Sequence, residues 1–321
     1  MEESDSNSED DSSHYSKCID IVVRTAKHSD VDKVFRIYSD SIQYLDVESR
    51  DWIEGIVKKK SRRARVYVAT SNGDVIGFAI VYKKRNRAYI DALAVDVLYR
   101  GRGVGECILR RIEEILLGEG VERIYLTVKN HNNRALGMYI KNGYRISNVI
   151  FILEAKQTNI DTHVDRKMVN SVSINIGSVK RSSIPRVKLL DVTMWNNFTW
   201  DIDEAIYKVS KEEITRITIA RGKRLIGLAQ IAVDGKSILV ERLALSYYKP
   251  SESLKIIIES MKNLIANDPE ISIVIPVDST KTSLLKTLIS IGFRIIDSEY
   301  VLCKDIIQKN NVLGIVNTTS R

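Results

Sequence analysis

The sequence predicts an α/β (α+β) protein made of two tandem copies of one fold, and three observations carry the prediction. A glycine-rich turn stands between an apolar strand and an amphipathic helix, and a set of short patterns recurs about 150 residues later. The length of 321 residues, 44% of them apolar, also gives each copy enough material for its own core.

Residues 1–17 hold six acidic side chains and one lysine. Such a segment buries too little apolar surface to offset the entropy of ordering and is expected to be a disordered acidic tail. The fold is expected to start at Ile19 with a strand over 19–25. Ser29 and Asp30 read as the cap of a helix to about Tyr44, because Val31, Val34, Phe35, Tyr38 and Ile42 share one face. A second helix follows near 47–59. Apolar runs over 65–70 and 75–82, joined through Asn72 and Gly73, read as a hairpin, since both turn residues tolerate positive φ. A strand over 90–95, the turn Tyr99-Arg-Gly-Arg-Gly-Val-Gly105 and a helix over 106–117 come next. A buried strand over 121–128 and a short helix from Asn132 to Gly143 complete the first copy, with a very short hairpin expected over 144–155.

The glycine turn carries chemistry. Glycines at 101, 103 and 105 let backbone N–H groups face a ligand, and the helix that follows adds a field favourable to anions. This is the composition of a phosphate or pyrophosphate cradle. A P-loop is excluded, because Gly105-Glu-Cys107 lacks the lysine and hydroxyl that would meet phosphate and magnesium. The glycine spacing is also wrong for a dinucleotide fingerprint.

Here the chain resembles the GNAT superfamily of acetyl-CoA-dependent N-acetyltransferases. Arg100, Gly103 and Gly105 match the pattern Arg/Gln-x-x-Gly-x-Gly/Ala; Asn132, Ala135, Tyr139, Gly143 and Tyr144 match Asn-x-x-Ala-x-x-x-Tyr-x-x-x-Gly-Phe, with tyrosine for the final phenylalanine. The resemblance covers 20–155. It implies a mixed, mostly antiparallel sheet flanked by helices, acetyl-CoA as co-substrate, and Arg100, Gly101, Arg102, Gly103, Val104 and Gly105 around the pyrophosphate. It also implies that Leu93, Ala94 and Val95 meet the pantetheine and acetyl group through their backbone, and that Asn132 bonds the pantetheine arm; a plain helix cap is the other reading of Asn132.

Tyr139 is the expected general acid, because a phenol of ordinary pKa, about 10, can protonate a departing thiolate; the other reading is a packed aromatic. Asp91, on the strand before the loop, is the expected base, and Glu54 a weaker alternative. A structural role for Asp91 stays open, because Glu241 holds the equivalent place in the second copy.

That second copy is degenerate. Val75-Ile-Gly-Phe-Ala79 recurs as Leu225-Ile-Gly-Leu-Ala229, Asp91-Ala-Leu-Ala-Val95 as Glu241-Arg-Leu-Ala-Leu245, and Phe151-Ile-Leu153 as Tyr300-Val-Leu302. A period this long means tandem domains. The glycine turn, however, becomes Pro250-Ser-Glu-Ser-Leu-Lys255, and Tyr139 becomes Leu288. The expected organisation is an acidic tail over 1–17, a catalytic domain over 18–156, a linker over 157–185, a degenerate GNAT-like domain over 186–306 and a tail over 307–321. The linker could supply a strand near 172–176.

Composition bounds the rest. The net charge is +8, and basic runs at 58–65 and 83–87 read either as a solvated surface or as a site for an acidic partner. Three scattered cysteines suggest packing residues rather than disulfides, and four histidines without ligand spacing suggest no metal. With no long apolar run and no signal-like start, no membrane partner and a cytoplasmic location are expected. The reading is an N-acetyltransferase acting on a primary amine, first a protein N-terminus or lysine. A small-molecule amine and a non-catalytic acetyl-CoA-binding scaffold are the alternatives.

Overall fold

A computed structural model describes residues 18–306 apart from 19, 46–47, 182, 184–187, 192–212, 267 and 269. The expected tails over 1–17 and 307–321, and much of 186–212, lie outside the described residues. The chain divides into two compact units that are not the two halves of the sequence. Unit 1 comprises 1–126, 134–145 and 303–321, and unit 2 comprises 127–133 and 146–302.

Unit 1 contains strands β1 (Val22–Thr25), β2 (Ala64–Ser71), β3 (Asp74–Lys84), β4 (Arg87–Val95) and the start of β5 (Arg123–Lys129), in that order in its sheet. All neighbours are antiparallel except β4 and β5. The β2–β3 turn is the expected one, with φ of 51° at Asn72 and 87° at Gly73. Helices α1 (Val31–Ser39) and α2 (Arg50–Lys59) pack on β3 and β2, and α3 (Val104–Gly118) packs on β3 and β4. Opposite faces of β3 serve them: Phe78 stacks on Tyr38 of α1, and Gly77 leaves room for Ile108 of α3. A Cβ at Gly77 would lie 2.7 Å from Ile108 Cδ1. Covered on both sides, β3 is buried from Val75 to Tyr82, which is why it reads as a continuous apolar run.

The short helix α4 (Asn133–Lys141) follows, and then β6 (Arg145–Lys156). Here the structure overturns an expectation. No short hairpin forms over 144–155; this stretch is one twelve-residue strand, and it pairs along β12 (Ser272–Asp278) in unit 2. The repeat-equivalent strand β13 (Arg294–Asp305) ends in unit 1, where Ile306 N–H bonds Glu122 O at 2.8 Å and Asp305 pairs with Arg123 and Arg145. Each unit is thus finished by residues from the other half of the chain.

Unit 2 continues its sheet through β12, β11 (Ser237–Leu245), β10 (Arg224–Asp234), β9 (Glu213–Arg221) and β7 (Ser173–Lys180). The expected linker strand near 172–176 is therefore β7, on β9. Among the described residues its helices are α5 (Arg166–Asn170), α6 (Pro250–Leu264) and α7 (Thr282–Ser290). The repeat shows even in irregularities. The β2/β3 pair skips Ile76 and the β9/β10 pair skips Ile226, while β4 bulges at Asp91 and β11 at Glu241. Bulges bend and re-aim strands, so their recurrence at matched positions marks one backbone plan used twice.

The cysteines correct a second expectation. Cys18 and Cys107 form a disulfide across 89 residues, with Cα atoms 5.7 Å apart, while Cys303 is free and buried. Spacing alone could not reveal this, because the pairing depends on how the start of the fold lies along α3.

Candidate active site

The bulge at Asp91 organises the site. β4 and β5 pair in parallel only from Arg87 to Ile90, and beyond the bulge β4 stays on β3 alone, with Leu93, Ala94 and Val95 opposite Ala79, Phe78 and Gly77. The second edge of β4 therefore pairs with no strand over 92–94 among the described residues. Backbone N–H and C=O groups need partners when covered, so this edge is a template for an extended ligand.

The strand runs straight into the glycine turn. Gly101 and Gly103 take φ of 80° and 82°, a region that L side chains rarely adopt, and Gly103 stands at the N-terminus of α3 with no capping side chain. Val104 is buried as the first helical residue, and Arg102 stays exposed, with its guanidinium 5.8 Å from the Tyr99 ring centre. A Cβ at Gly105 would lie 3.4 Å from Met138 Sδ and 3.7 Å from Leu93 Cδ2, so the loop, β4 and α4 converge there. Backbone donors and a helix N-terminus, with the Arg134 guanidinium 3.1 Å from where a Cβ at Gly101 would stand, suit an anionic ligand of the pyrophosphate kind.

Arg100 belongs to the loop, but its side chain turns inward. Its Nε bonds Val95 O at 2.9 Å, and its outer nitrogen bonds Ser41 Oγ at 2.8 Å and Asp40 O at 3.2 Å. Asp96 makes a second tie, accepting from Leu98 N–H at 3.1 Å and pairing with Lys33 and Arg36 of α1. The Lys33 bond holds the Asp96 carboxyl below its ordinary range. Lys33, Ser41 and Asp96 escape a motif search, because their contacts join positions about 60 residues apart.

Tyr139 is buried on α4, one residue from the Met138 that meets the loop, and its ring stands edge-on to Tyr144 with centroids 5.7 Å apart. Burial pushes its pKa well above the ordinary phenol value, which corrects the expectation of an unshifted group. The hydroxyl is a proton carrier at any working pH.

Asp91 is the bulge residue itself, half-buried, and its charge together with that of Glu48 adds to the burial that raises the Tyr82 hydroxyl. Glu54 is unlike a base. Lys58 at 2.9 Å, Arg50 at 3.3 Å and His28 at 3.4 Å surround it, and Lys58 above all lowers its pKa. Asn132 lies in unit 2, in the turn before α4, with its N–H on Lys129 O at 2.9 Å. Among the described residues no cluster of His, Cys, Asp or Glu could hold a metal, and no helix is long and apolar enough to cross a membrane.

At the matching place in unit 2 the strand edge is occupied and the turn has lost its glycines, although a cavity of about 200 Å³ lined by Arg221, Ser246, Lys249 and Glu252 remains beside it. β11 and β12 also separate after Leu239, but the free edge of β11 is taken by the chain's own β8 (Leu190–Asp191), which pairs Ala244 and Leu245. These are the counterparts of Ala94 and Val95. Arg181 pairs with the bulge residue Glu241 at 2.8 Å. Pro250 begins α6 without an N–H, and Glu252 is held by Arg221 at 2.8 Å and Lys249 at 3.4 Å.

Comparison with known proteins agrees with this geometry. Residues 31–144 match the model of the Acetyltransferase (GNAT) family. A tandem GNAT protein from the clavulanic acid biosynthesis pathway is similar in structure at TM-score 0.63 and 10% identity, over 89% of this chain and 98% of that one. A putative acetyltransferase from Pyrococcus horikoshii follows at 0.59 and 15%, over 90% of each chain. A fungal multi-domain β-N-acetylglucosaminidase with a GCN5-related glucosamine N-acetyltransferase region gives 0.62 and 15%, over 88% of this chain and 38% of that one. The chain thus carries a segment, 31–144, that matches the Acetyltransferase (GNAT) family, and its tandem fold is similar to that of a solved tandem GNAT structure.

Proposed function

We propose that this chain is an acetyl-CoA-dependent N-acetyltransferase acting on a primary amine, first of all a protein N-terminus or a lysine side chain. One observation carries the reading: the edge of β4 over 92–94, which pairs with no strand on that side among the described residues, leads directly into the glycine cradle, with Tyr139 on the helix that packs against it. The catalytic groups then all lie within 18–156, and 186–306 supplies none.

Bound acetyl-CoA supplies the acetyl group as an activated thioester. The backbone from Arg100 to Gly105 holds its anionic end, and Leu93, Ala94 and Val95 offer backbone groups to its arm and to the acetyl carbonyl, an arrangement that side-chain changes leave intact. Asn132 is assigned to the same arm. Asp91 is the base that takes a proton from the incoming ammonium, and Tyr139 gives its hydroxyl proton to the departing sulfur. The raised pKa keeps the hydroxyl protonated before transfer and makes it a weaker acid toward the thiolate than a free phenol.

A small-molecule amine is the second reading, favoured by the tandem architecture shared with the clavulanic acid pathway protein and the glucosamine N-acetyltransferase region. Incubating the full chain with acetyl-CoA and a panel of peptides and small amines, followed by intact-mass analysis, tests both. Acetylated peptides support the first reading and acetylated metabolites the second. Acetyl-CoA binding without thiol release in any mixture would leave the scaffold function and refute the enzyme.

A further inference from the structure

Unit 1 contains a polar cluster that unit 2 lacks. Lys304, next to the last residue of β13 and a member of unit 1, pairs with Glu113 of α3 at 2.6 Å and holds its ammonium 5.6 Å from the centre of the Tyr144 ring. Tyr144 in turn presents its ring edge-on to Tyr139, at an interplanar angle of 62°. The pair is largely shielded, the Glu113 side chain being 12% exposed and that of Lys304 24%.

The internal repeat supplies the control. Counterparts of Glu113, Tyr139, Tyr144 and Lys304 are Lys262, Leu288, Phe293 and Ala155, each displaced by 149 residues. Ala155, Leu288 and Phe293 lie together in one apolar core, and Lys262 reaches Ile160 O at 2.8 Å. This backbone plan therefore closes the same corner without the ion pair or either phenol. A buried ion pair is a poor source of stability compared with apolar packing. The four polar groups occur together only in the unit that keeps the glycine cradle.

We propose that Lys304 is a positioning residue for Tyr139, acting through Glu113 and the Tyr144 ring. A cation over a ring face and an edge-on neighbour each favour a defined ring orientation, so Lys304 sets the plane of Tyr144 and Tyr144 sets that of Tyr139. Glu113 holds the ammonium in register. The inference rests on the reading of Tyr139 as the proton donor.

Nuclear magnetic resonance of the full chain with tyrosines isotope-labelled at Cζ tests it, Tyr139→Phe assigning the signal and acetyl-CoA serving as probe. In the wild type, acetyl-CoA should move the Tyr139 resonance. Lys304→Met should broaden that resonance and abolish most of its response while acetyl-CoA affinity by calorimetry stays unchanged, and Lys304→Arg should restore it. Lys262→Met, at the matching position of unit 2, should change nothing. A wild-type response in Lys304→Met overturns the proposal. If that variant does not fold, Glu113→Gln takes its place with the same two outcomes. Acetyl-CoA binding without any Tyr139 response in the wild type refutes the role of Tyr139 itself and the proposal with it.

Discussion

Tyr139 and Gly103 carry the sharpest expectations at the level of single residues. Tyr139→Phe keeps the packed ring but removes the proton, so acetyl-CoA affinity should persist while turnover falls by about 10²–10⁴-fold, measured where chemistry limits the rate. Gly103→Asp forces an L side chain into φ of 82° and adds negative charge to the cradle, so calorimetry should show strongly weakened acetyl-CoA binding. Asp91→Asn separates itself by pH. If Asp91 removes the proton from the ammonium, the defect shrinks as pH rises toward the amine's own pKa, about 10.4 for a lysine, and a pH-independent defect assigns Asp91 to the bulge alone. Tyr139 was legible because its neighbours at 132, 135, 143 and 144 stand at motif spacing. Its raised pKa was not, since burial is set by how α4 lies in the fold.

Between loop and helix, the element-scale feature is the double tie of Arg100 and Asp96 to α1 and the turn after it. Asp96→Asn removes a charged bond to Lys33, and we expect a loss of about 1–3 kcal/mol, read by chemical denaturation. The sign with pH follows from the lowered pKa: the contribution is complete above the ordinary carboxylate value of about 3.9 and disappears as pH falls through the lower native value. Wild type and variant should thus converge in acid. Strand and helix order in the first copy was legible from apolar periodicity, since β2, β3 and α3 follow their patterns closely. The bulge at Asp91 was not, because an extra residue in β4 is defined only by its pairing with β3. Likewise β8 is two residues long, and nothing in Leu190-Asp191 announces that it fills the edge of β11.

At the scale of the whole molecule, the occupation of the β11 edge by β8 and the Glu252 pairs predict one acetyl-CoA per chain; calorimetry giving two equal sites would contradict it. Glu252→Gln should leave turnover intact. The Cys18–Cys107 disulfide ties the start of the described fold to α3 one turn after Gly103, a link that sequence spacing did not suggest. The completion of unit 1 by residues 303–306 has a further consequence, in the order of events at the ribosome. The segment carrying the glycine turn and Tyr139 is synthesised well before Lys304, Asp305 and Ile306, which reach it only after the intervening 146–302 segment of unit 2 has been made. Domains made first usually fold first. In this chain the reactive one must wait, so nascent chains stalled before residue 303 should lack activity even though every proposed catalytic group is already outside the tunnel.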